Sequence, residues 1–128
     1  MDSKIMNVLK DRVLELGPVP VAGPYKNFKV TRDEDGIAWV LIDRAGTSAN
    51  TLSAEVLEEF AVVATALESD RPAGIVLRSA KRSGFVAGAD INEFKGLTDE
   101  TKVLSEIGHV HGILDRFEDL KIPTVAVI

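Results

Sequence analysis

Residues 74–94 read GIVLRSAKRSGFVAGADINEF and join a short apolar run to a glycine-rich turn. The run GIVLRSA at residues 74–80 is apolar and contains β-branched residues, which is typical of a strand covered on both faces of a sheet. In the turn, Gly84 and Gly88 lack a Cβ, so a bound group can come close to the main chain there. We therefore predict a buried strand that leads into a corner whose chemistry depends on backbone N–H groups.

The region before this stretch predicts two strands and a helix. Residues 28–42 have the pattern of a β-hairpin with a polar turn at 33–36. Ser53 is a suitable N-cap for a helix that ends at residues 71–72. One face of this helix is apolar and contains Leu57, Phe60, Ala61, Ala64 and Leu67.

The region after the stretch predicts a longer helix at residues 98–118 and a strand from residue 124. The apolar side of the helix contains Val103, Ile107, His111, Leu114 and Phe117. A helix between two apolar strands predicts a βαβ unit, and hence an α/β fold. Because a buried strand at 124–128 runs to the last residue with no covering element after it, we expect the chain to be a truncated part of a domain.

The composition excludes several classes of protein. The chain has 128 residues, of which 45% are hydrophobic and 27% charged, as expected of one globular domain. Its net charge of −5 argues against general binding to nucleic acid or to anionic membranes. The absence of cysteine excludes disulfides, thiolate zinc sites and a cysteine nucleophile, and it favours a cytoplasmic location.

The first 27 residues form a separate region in this prediction. Residues 1–17 have an apolar set that charged side chains interrupt, so they predict a short amphipathic helix and not a secretory signal or membrane span. The prolines and glycines of residues 17–27 deny the backbone regular hydrogen bonds and predict a linker. We therefore divide the chain into an N-terminal helix and linker, residues 1–27, and a compact domain, residues 28–128.

The sequence has no familiar catalytic or cofactor motif. It has no Walker loop, no zinc-protease helix and no dinucleotide fingerprint. His109 and His111 are spaced i and i+2, so on a helix they point to different sides, which is poor geometry for a shared metal. His111 lies on the apolar stripe, where a buried, hydrogen-bonded histidine is favoured over a ligand or base. No metal site is predicted.

Asp90 and Glu93 are candidate paired carboxylates. Their spacing is also that of a capping box at a helix start, which we favour over acid–base catalysis. Gly88 and Ala89 then lie where the strand turns into the helix, and their N–H groups can bind an oxyanion near the positive end of the helix dipole. An ordinary glycine-rich turn explains these residues equally well.

Three separated blocks carry a resemblance to a known family. They are VLIDRAGTSANTLSAEVLEEF at residues 40–60, RSAKRSGFVAGADINEF at 78–94 and DLKIPTVAVI at 119–128. In this order they resemble the N-terminal half of the enoyl-CoA hydratase/isomerase (crotonase) superfamily, and especially the hydratase domain of multifunctional fatty-acid oxidation alpha subunits. The resemblance implies the N-terminal part of a crotonase-like ββα superhelix. Residues 1–27 lie outside it.

The resemblance implies chemistry on acyl-CoA thioesters, as in fatty-acid β-oxidation. In the family, two backbone N–H groups polarise the thioester carbonyl, and the match to AGADI makes Ala89 the first of these donors. The same match places Gly88, Ala89, Asp90, Ile91 and Asn92 along the bound CoA. CoA is then part of the substrate, no separate cofactor is expected, and the family commonly forms homotrimers.

The chain also departs from the family. The second oxyanion donor and the catalytic glutamates of the family follow the strand matched by TVAVI, and Glu93, Glu100 and Glu106 do not match them. We therefore expect the chain alone to be inactive, since hydration needs a base and an acid. The alternative is a non-catalytic CoA-binding or assembly module. A small flavodoxin-like or dinucleotide-binding domain fits the βα alternation but not the glycine spacing.

Three cations precede the glycine-rich corner: Arg78, Lys81 and Arg82. Because CoA carries phosphates, these side chains are candidates for phosphate contact. A solvated loop explains them as well, so both interpretations stay open at this point.

Overall fold

The computed structural model describes residues 3–88 and 100–128 of the chain. In chain order the elements are α1 (Ser3–Leu14), β1 (Phe28–Arg32), β2 (Ile37–Ile42), α2 (Ala54–Ser69), β3 (Gly74–Ser79), α3 (Glu100–Glu118) and β4 (Thr124–Ala126). The predicted hairpin, both helices and both later strands are present. The predicted start of α3 at residues 98–99 lies outside the described residues.

The strands form one mixed sheet in the order β1-β2-β3-β4. β1 and β2 are antiparallel, whereas β2 pairs in parallel with β3 and β3 with β4. The β2–β3 register runs from Ile37 opposite Gly74 to Ile42 opposite Ser79. Since parallel strands end on the same side, the carboxyl ends of β2, β3 and β4 lie together. We call this side the carboxyl end of the sheet.

The turn between β1 and β2 is organised by Asp33. Its carboxylate accepts hydrogen bonds from the backbone N–H of Asp35 at 2.9 Å and of Ile37 at 3.0 Å, and from Trp39 Nε1 at 2.9 Å. Gly36 completes the turn with a φ of 79°, a conformation that favours glycine. The predicted polar turn is therefore confirmed.

One face of the sheet is covered by α2 and α3. Ser53 caps α2, because its Oγ accepts from Val56 N at 3.1 Å. The ring centroids of Phe60 on α2 and Phe117 on α3 are 4.7 Å apart, and Phe28 of β1 lies 5.8 Å from Phe60. The core on this face also contains Ala38, Val40, Ile42, Leu57, Val63, Leu67 and Ile75. The predicted apolar face of α2 is confirmed.

The turn after α1 contacts the opposite face of the sheet. Arg78 of β3 is buried there and donates from Nε to the carbonyl of Leu16 at 3.0 Å. Gly17 has a φ of 84°, and a Cβ built on it would lie 2.5 Å from the ring of Trp39. The predicted N-terminal helix is present, whereas the domain boundary at residues 27–28 stays a prediction.

The predicted apolar side of α3 is wrong in part. Ile107, His111 and Leu114 are exposed, because α3 buries a line rotated from the predicted stripe, namely Ile113 and Phe117, with Val110 half-buried. The apolar pattern of a helix does not decide which edge of its apolar side meets a neighbouring helix. Val103 lies outside the described side chains.

The last strand also differs from its prediction. β4 is exposed at all three of its residues, with Val125 61% exposed, although it was predicted to be buried. β4 is the outer strand of the sheet and pairs with β3 on one side, so its own apolar side chains lack the cover that β3 has.

Candidate functional site at the carboxyl end of the sheet

The loop after β2 and the loop after β3 meet at the carboxyl end of the sheet. The first loop, residues 43–53, leads into α2, and the second, residues 80–88, leads to the predicted oxyanion corner. Ligands of open α/β sheets commonly bind outside the carboxyl ends of the strands. The two loops therefore define the candidate site.

Asn50 joins the two loops to the sheet. It is 2% exposed, and three acceptors share the two hydrogens of its Nδ2: the carbonyl of Ile42 at 3.0 Å, Ser79 Oγ at 2.9 Å and the carbonyl of Phe85 at 3.0 Å. Its Oδ1 accepts from the N–H of Arg44 at 2.9 Å. One buried amide thus contacts the ends of β2 and β3 and the segment that follows β3.

The main chain of residues 85–88 pairs with that of residues 50–52. Ala87 N donates to the carbonyl of Asn50 at 2.7 Å, and Leu52 N donates to the carbonyl of Gly88 at 2.8 Å. Gly88 is exposed and has a φ of 104°, in the range that L side chains rarely adopt. The glycine is needed here for its conformation, since among the described residues no atom lies within 4 Å of a Cβ built on it.

A second buried amide, Asn27, holds the other side of loop 43–53. Its Oδ1 accepts from the N–H of Ala45 at 2.9 Å, and its carbonyl accepts from Asp43 N at 2.8 Å. Its own N–H donates to Glu59 Oε1 of α2 at 2.6 Å. Asn27 therefore stabilises the loop without a hydrogen bond to residues 85–88.

Asp43 lies between two lysines at the start of this loop. Its carboxylate oxygens are 3.0 Å from Lys29 Nζ and 3.0 Å from Lys81 Nζ. Partial burial raises the pKa of Asp43, but the hydrogen bonds and charges of Lys29 and Lys81 outweigh it and hold the pKa below its ordinary value. Lys81 Nζ also donates to the carbonyl of Thr47 at 2.6 Å, so this ammonium group connects both loops.

The three cations before the corner have different surroundings. Arg78 does not lie in a solvated loop, because it belongs to β3 and is 1% exposed. Its guanidinium donates to main-chain carbonyls. Burial lowers its pKa. Lys81 is largely buried against Asp43, whereas Arg82 is exposed and pairs with Asp11 of α1 at 2.9 Å. Arg78 is thus removed as a candidate for phosphate contact.

An apolar cavity of about 160 Å³ lies beside the corner. Leu52, Phe85 and Val86, which precede or pair with Gly88, form part of its wall. The remaining wall comes from the core and from both covering helices: Phe28, Ile42, Val56, Leu57, Phe60, Leu77 and Leu114. The corner therefore has exposed main chain on one side and apolar space on the other.

Of the predicted site residues, the structure describes Gly88 and places it at this corner. Ala89, Asp90, Ile91 and Asn92 lie outside the described residues, as do Glu93 and the proposed capping box. Glu100 and Glu106 are exposed on α3. The catalytic assignment of Ala89 therefore stays a prediction.

The histidines lie on the surface of α3. His109 pairs with Glu58 of α2, and this hydrogen bond and charge raise the pKa of His109. Among the described residues no group of three or more His, Asp or Glu side chains could hold a metal ion. None of the described helices is long and apolar enough to cross a bilayer.

Sequence reasoning missed the two buried asparagines. Asn27 and Asn50 are polar and lie in irregular segments, so their local pattern alone favours exposed turn residues. The available signal was position: each stands next to a predicted buried element, Asn27 before β1 and Asn50 three residues before the N-cap of α2.

Comparisons with known proteins give relatives of much greater length. The fatty acid oxidation complex subunit alpha of Shewanella sp. (strain ANA-3) is 41% identical over 106 residues, which cover 80% of this chain and 15% of that protein. The same subunit of Shewanella baltica (strain OS185) is 40% identical over 106 residues, with the same coverage. No protein-family model matches the chain.

Solved structures give the same result for the fold. An enoyl-CoA hydratase from Bacillus anthracis aligns with a TM-score of 0.67 and 26% identity over 78% of this chain and 38% of that one. An enoyl-CoA hydratase/carnithine racemase from Magnetospirillum magneticum aligns with a TM-score of 0.69 and 25% identity over 80% and 38%, respectively.

The sheet, its two covering helices and the corner after β3 therefore define a crotonase-like fold, of which the chain is a partial domain. The predicted fold class and the predicted resemblance to the N-terminal half of the enoyl-CoA hydratase/isomerase (crotonase) superfamily are confirmed.

Proposed function

We propose that this chain forms part of an enzyme that acts on acyl-CoA thioesters, as a hydratase or isomerase of fatty-acid oxidation. The backbone N–H of Ala89 polarises the thioester carbonyl, and residues 88–92 lie along the bound CoA. The observation that carries this proposal is the corner at Gly88, where a main chain of constrained geometry is exposed at the carboxyl end of a sheet with a crotonase-like fold.

The chemical requirement of such a reaction is stabilisation of negative charge on the thioester oxygen. Backbone N–H groups meet it when they are fixed in direction before the substrate arrives. The carbonyl of Gly88 is fixed by Leu52 N at 2.8 Å. The proposed donor, the N–H of Ala89, belongs to the same planar peptide unit as that carbonyl, and we propose that this hydrogen bond helps to orient it.

The apolar cavity beside the corner supports an acyl substrate. Its volume is about 160 Å³. An engineered apolar cavity of about 150 Å³ binds benzene, so the space suits a short hydrocarbon segment. A thioester carbonyl at the corner would place its acyl chain next to Leu52, Phe85 and Val86.

Two further parts of the proposal rest on the family alone. The second oxyanion donor and the carboxylates that activate water and protonate the α-carbon are assigned to no residue of this chain. We therefore propose that the isolated chain does not hydrate enoyl-CoA, and that the complete protein is a homo-oligomer. Sedimentation analysis tests the second point.

The test compares two variants of the complete protein that contains these residues. Ala89→Pro removes the proposed donor, and enoyl-CoA turnover should fall by at least ~10², the usual scale for one lost oxyanion donor. Asp90→Asn keeps a capping side chain and should leave turnover near that of the parent. Circular dichroism must first show that both variants fold, since proline also restricts Gly88.

Three outcomes decide the proposal. Near-normal turnover in a folded Ala89→Pro variant removes the donor role. A collapse of turnover in Asp90→Asn shows that Asp90 does more than cap a helix. Binding of an acyl-CoA without any turnover by the complete protein supports the alternative, a non-catalytic CoA-binding module.

A further inference from the structure

We propose that Asn50 is a positioning residue for the corner at Gly88, so that its buried side-chain amide sets how strongly the corner polarises a bound thioester. The inference rests on the proposed function and deepens it. Asn50 itself does not touch the substrate in this proposal; it acts through residues 85–88.

The side-chain amide of Asn50 contacts the ends of two paired strands. Ile42 and Ser79 are partners in the β2–β3 register and end the two strands. The Nδ2 of Asn50 contacts both, at 3.0 Å and 2.9 Å, and also contacts the carbonyl of Phe85 at 3.0 Å. Asn50 therefore connects the start of the 85–88 segment to the ends of two paired strands.

The main chain of residues 50–52 also pairs with that of residues 87–88. The carbonyl of Asn50 accepts from Ala87 N at 2.7 Å, and two residues later Leu52 N donates to the carbonyl of Gly88 at 2.8 Å. A rotation or shift of residues 50–52 therefore turns the carbonyl of Gly88, and with it the following peptide N–H. A displacement of about 1 Å in a catalytic group can reduce a rate by roughly 10².

The position of Asn50 also requires a side-chain amide. The Oδ1 of Asn50 accepts from Arg44 N at 2.9 Å, while its Nδ2 faces acceptors. A carboxylate of the same size has no hydrogen to offer the carbonyls of Ile42 and Phe85, and an aliphatic side chain satisfies none of these groups. Asparagine is the small side chain that offers two N–H donors together with a separate carbonyl acceptor.

The experiment uses the complete protein, a short-chain enoyl-CoA as probe and two readouts. Turnover gives kcat and KM, and difference infrared spectroscopy gives the carbonyl stretch of the bound thioester, which falls in frequency as the carbonyl is polarised. Asn27→Ala is the matched control, because Asn27 is equally buried at 2% exposure and holds the same loop without a hydrogen bond to residues 85–88.

We expect Asn50→Ala to lower kcat by about 10² with KM changed less than about threefold, since alignment and not affinity is lost. Its carbonyl band should move back toward that of the free thioester. Asn27→Ala should keep kcat within about threefold and leave the band in place, because the corner keeps its own hydrogen bonds.

The variant Asn50→Asp provides a second test at constant size. Its buried carboxyl group loses the donor when ionised and regains one donor when protonated, and burial favours protonation. Lowering the pH should therefore move its thioester band back toward that of the parent, while the parent band stays constant. A purely structural role does not produce a pH-reversible band.

The outcomes separate this inference from the proposed function. If the parent does not shift the thioester band at all, the proposed function is wrong. If the parent shifts it and a folded Asn50 variant shifts it equally at every pH, this inference alone is wrong. Equal losses in Asn50→Ala and Asn27→Ala also contradict the inference, because they indicate general loosening of the loop.

Discussion

The hairpin turn at residues 33–36 and the carboxyl end of the sheet are each organised by one polar side chain, but over different distances along the chain. Asp33 accepts from residues 35, 37 and 39, all within the hairpin. Asn50 contacts residues 42, 44, 79 and 85, which belong to separate segments. Asp33 therefore stabilises a turn that the local sequence already favours, whereas Asn50 joins segments that no local preference brings together.

The chemistry of the two side chains matches this difference. The Asp33 carboxylate only accepts, and the hydrogen bond from Trp39, with those from Ile37 and Asp35, outweighs desolvation and lowers its pKa. Asn50 is fully buried, donates and accepts, and carries no charge whose burial must be compensated. A turn on the surface can use a charge, while the junction inside the candidate site uses a neutral amide.

The largest expected effect concerns Asn50, the buried one of the two side chains. Asn50→Ala removes the partner of several buried groups, each worth about 1–3 kcal/mol when left unsatisfied, so we expect the free energy of unfolding to fall by about 3–5 kcal/mol. Urea denaturation measures it. Asp33→Ala, the matched change in the hairpin, should cost clearly less, and equal losses would show that the range of the contacts is irrelevant.

A smaller effect is expected at the corner itself. Gly88→Ala introduces a side chain at a φ of 104°, which we expect to lower the free energy of unfolding by about 1–3 kcal/mol. Gly108→Ala is the control: Gly108 lies within α3 with open space around it, so alanine should stabilise the protein by about 0.5–1 kcal/mol there. Thermal unfolding of both variants checks the opposite signs, and a neutral Gly88→Ala would contradict the constraint.

A further prediction concerns the pH dependence of stability at the carboxyl end of the sheet, where Asp43 is the group that titrates. The folded-state pKa of Asp43 is lowered, so its contribution to stability is present above its ordinary pKa of 3.8 and is lost as the pH falls through the lower folded value. Urea denaturation between about pH 5 and about pH 2 should show a smaller acid loss for Asp43→Asn than for the parent. Parallel pH profiles would show that the contacts with Lys29 and Lys81 do not contribute.

The smallest effect concerns the cations near the corner. Neutralising Lys81 and Arg82 together in the complete protein should weaken CoA-ester binding more at low salt than at high salt, because salt screens the attraction between cations and phosphates. Arg116→Gln, which removes a surface cation paired with Glu68 on the helical side, is the control. Calorimetric titration at two salt concentrations measures the change. An unchanged salt dependence would remove both cations from the site.

The sequence predicted those parts of the fold that depend on local pattern. Alternation located the hairpin, β-branched residues located β3, and Ser53 marked the start of α2, because each signal acts within a few residues. The three blocks that resemble the family predicted the crotonase-like fold, which local patterns alone do not predict. Contacts such as Asn50 to Phe85, 35 residues apart, have no local signal and could not be predicted from it.

The errors have the same origin. The apolar pattern of α3 is present in the sequence, but which of its residues are buried depends on how α2 packs against the helix. For this reason the prediction that His111 is buried was wrong. β4 was apolar as expected, yet burial depends on what covers a strand and not on its own sequence. Tertiary contacts decided each of these cases.

Trp39 is the single tryptophan of the chain. Its indole N–H binds Asp33 in the hairpin turn, and its ring lies against Gly17 after α1. The protein thus carries an intrinsic fluorophore between two otherwise separate regions. Its emission reports on the N-terminal segment and on the hairpin with no added label, and comparing the parent with an Asp33→Ala variant tells the two signals apart.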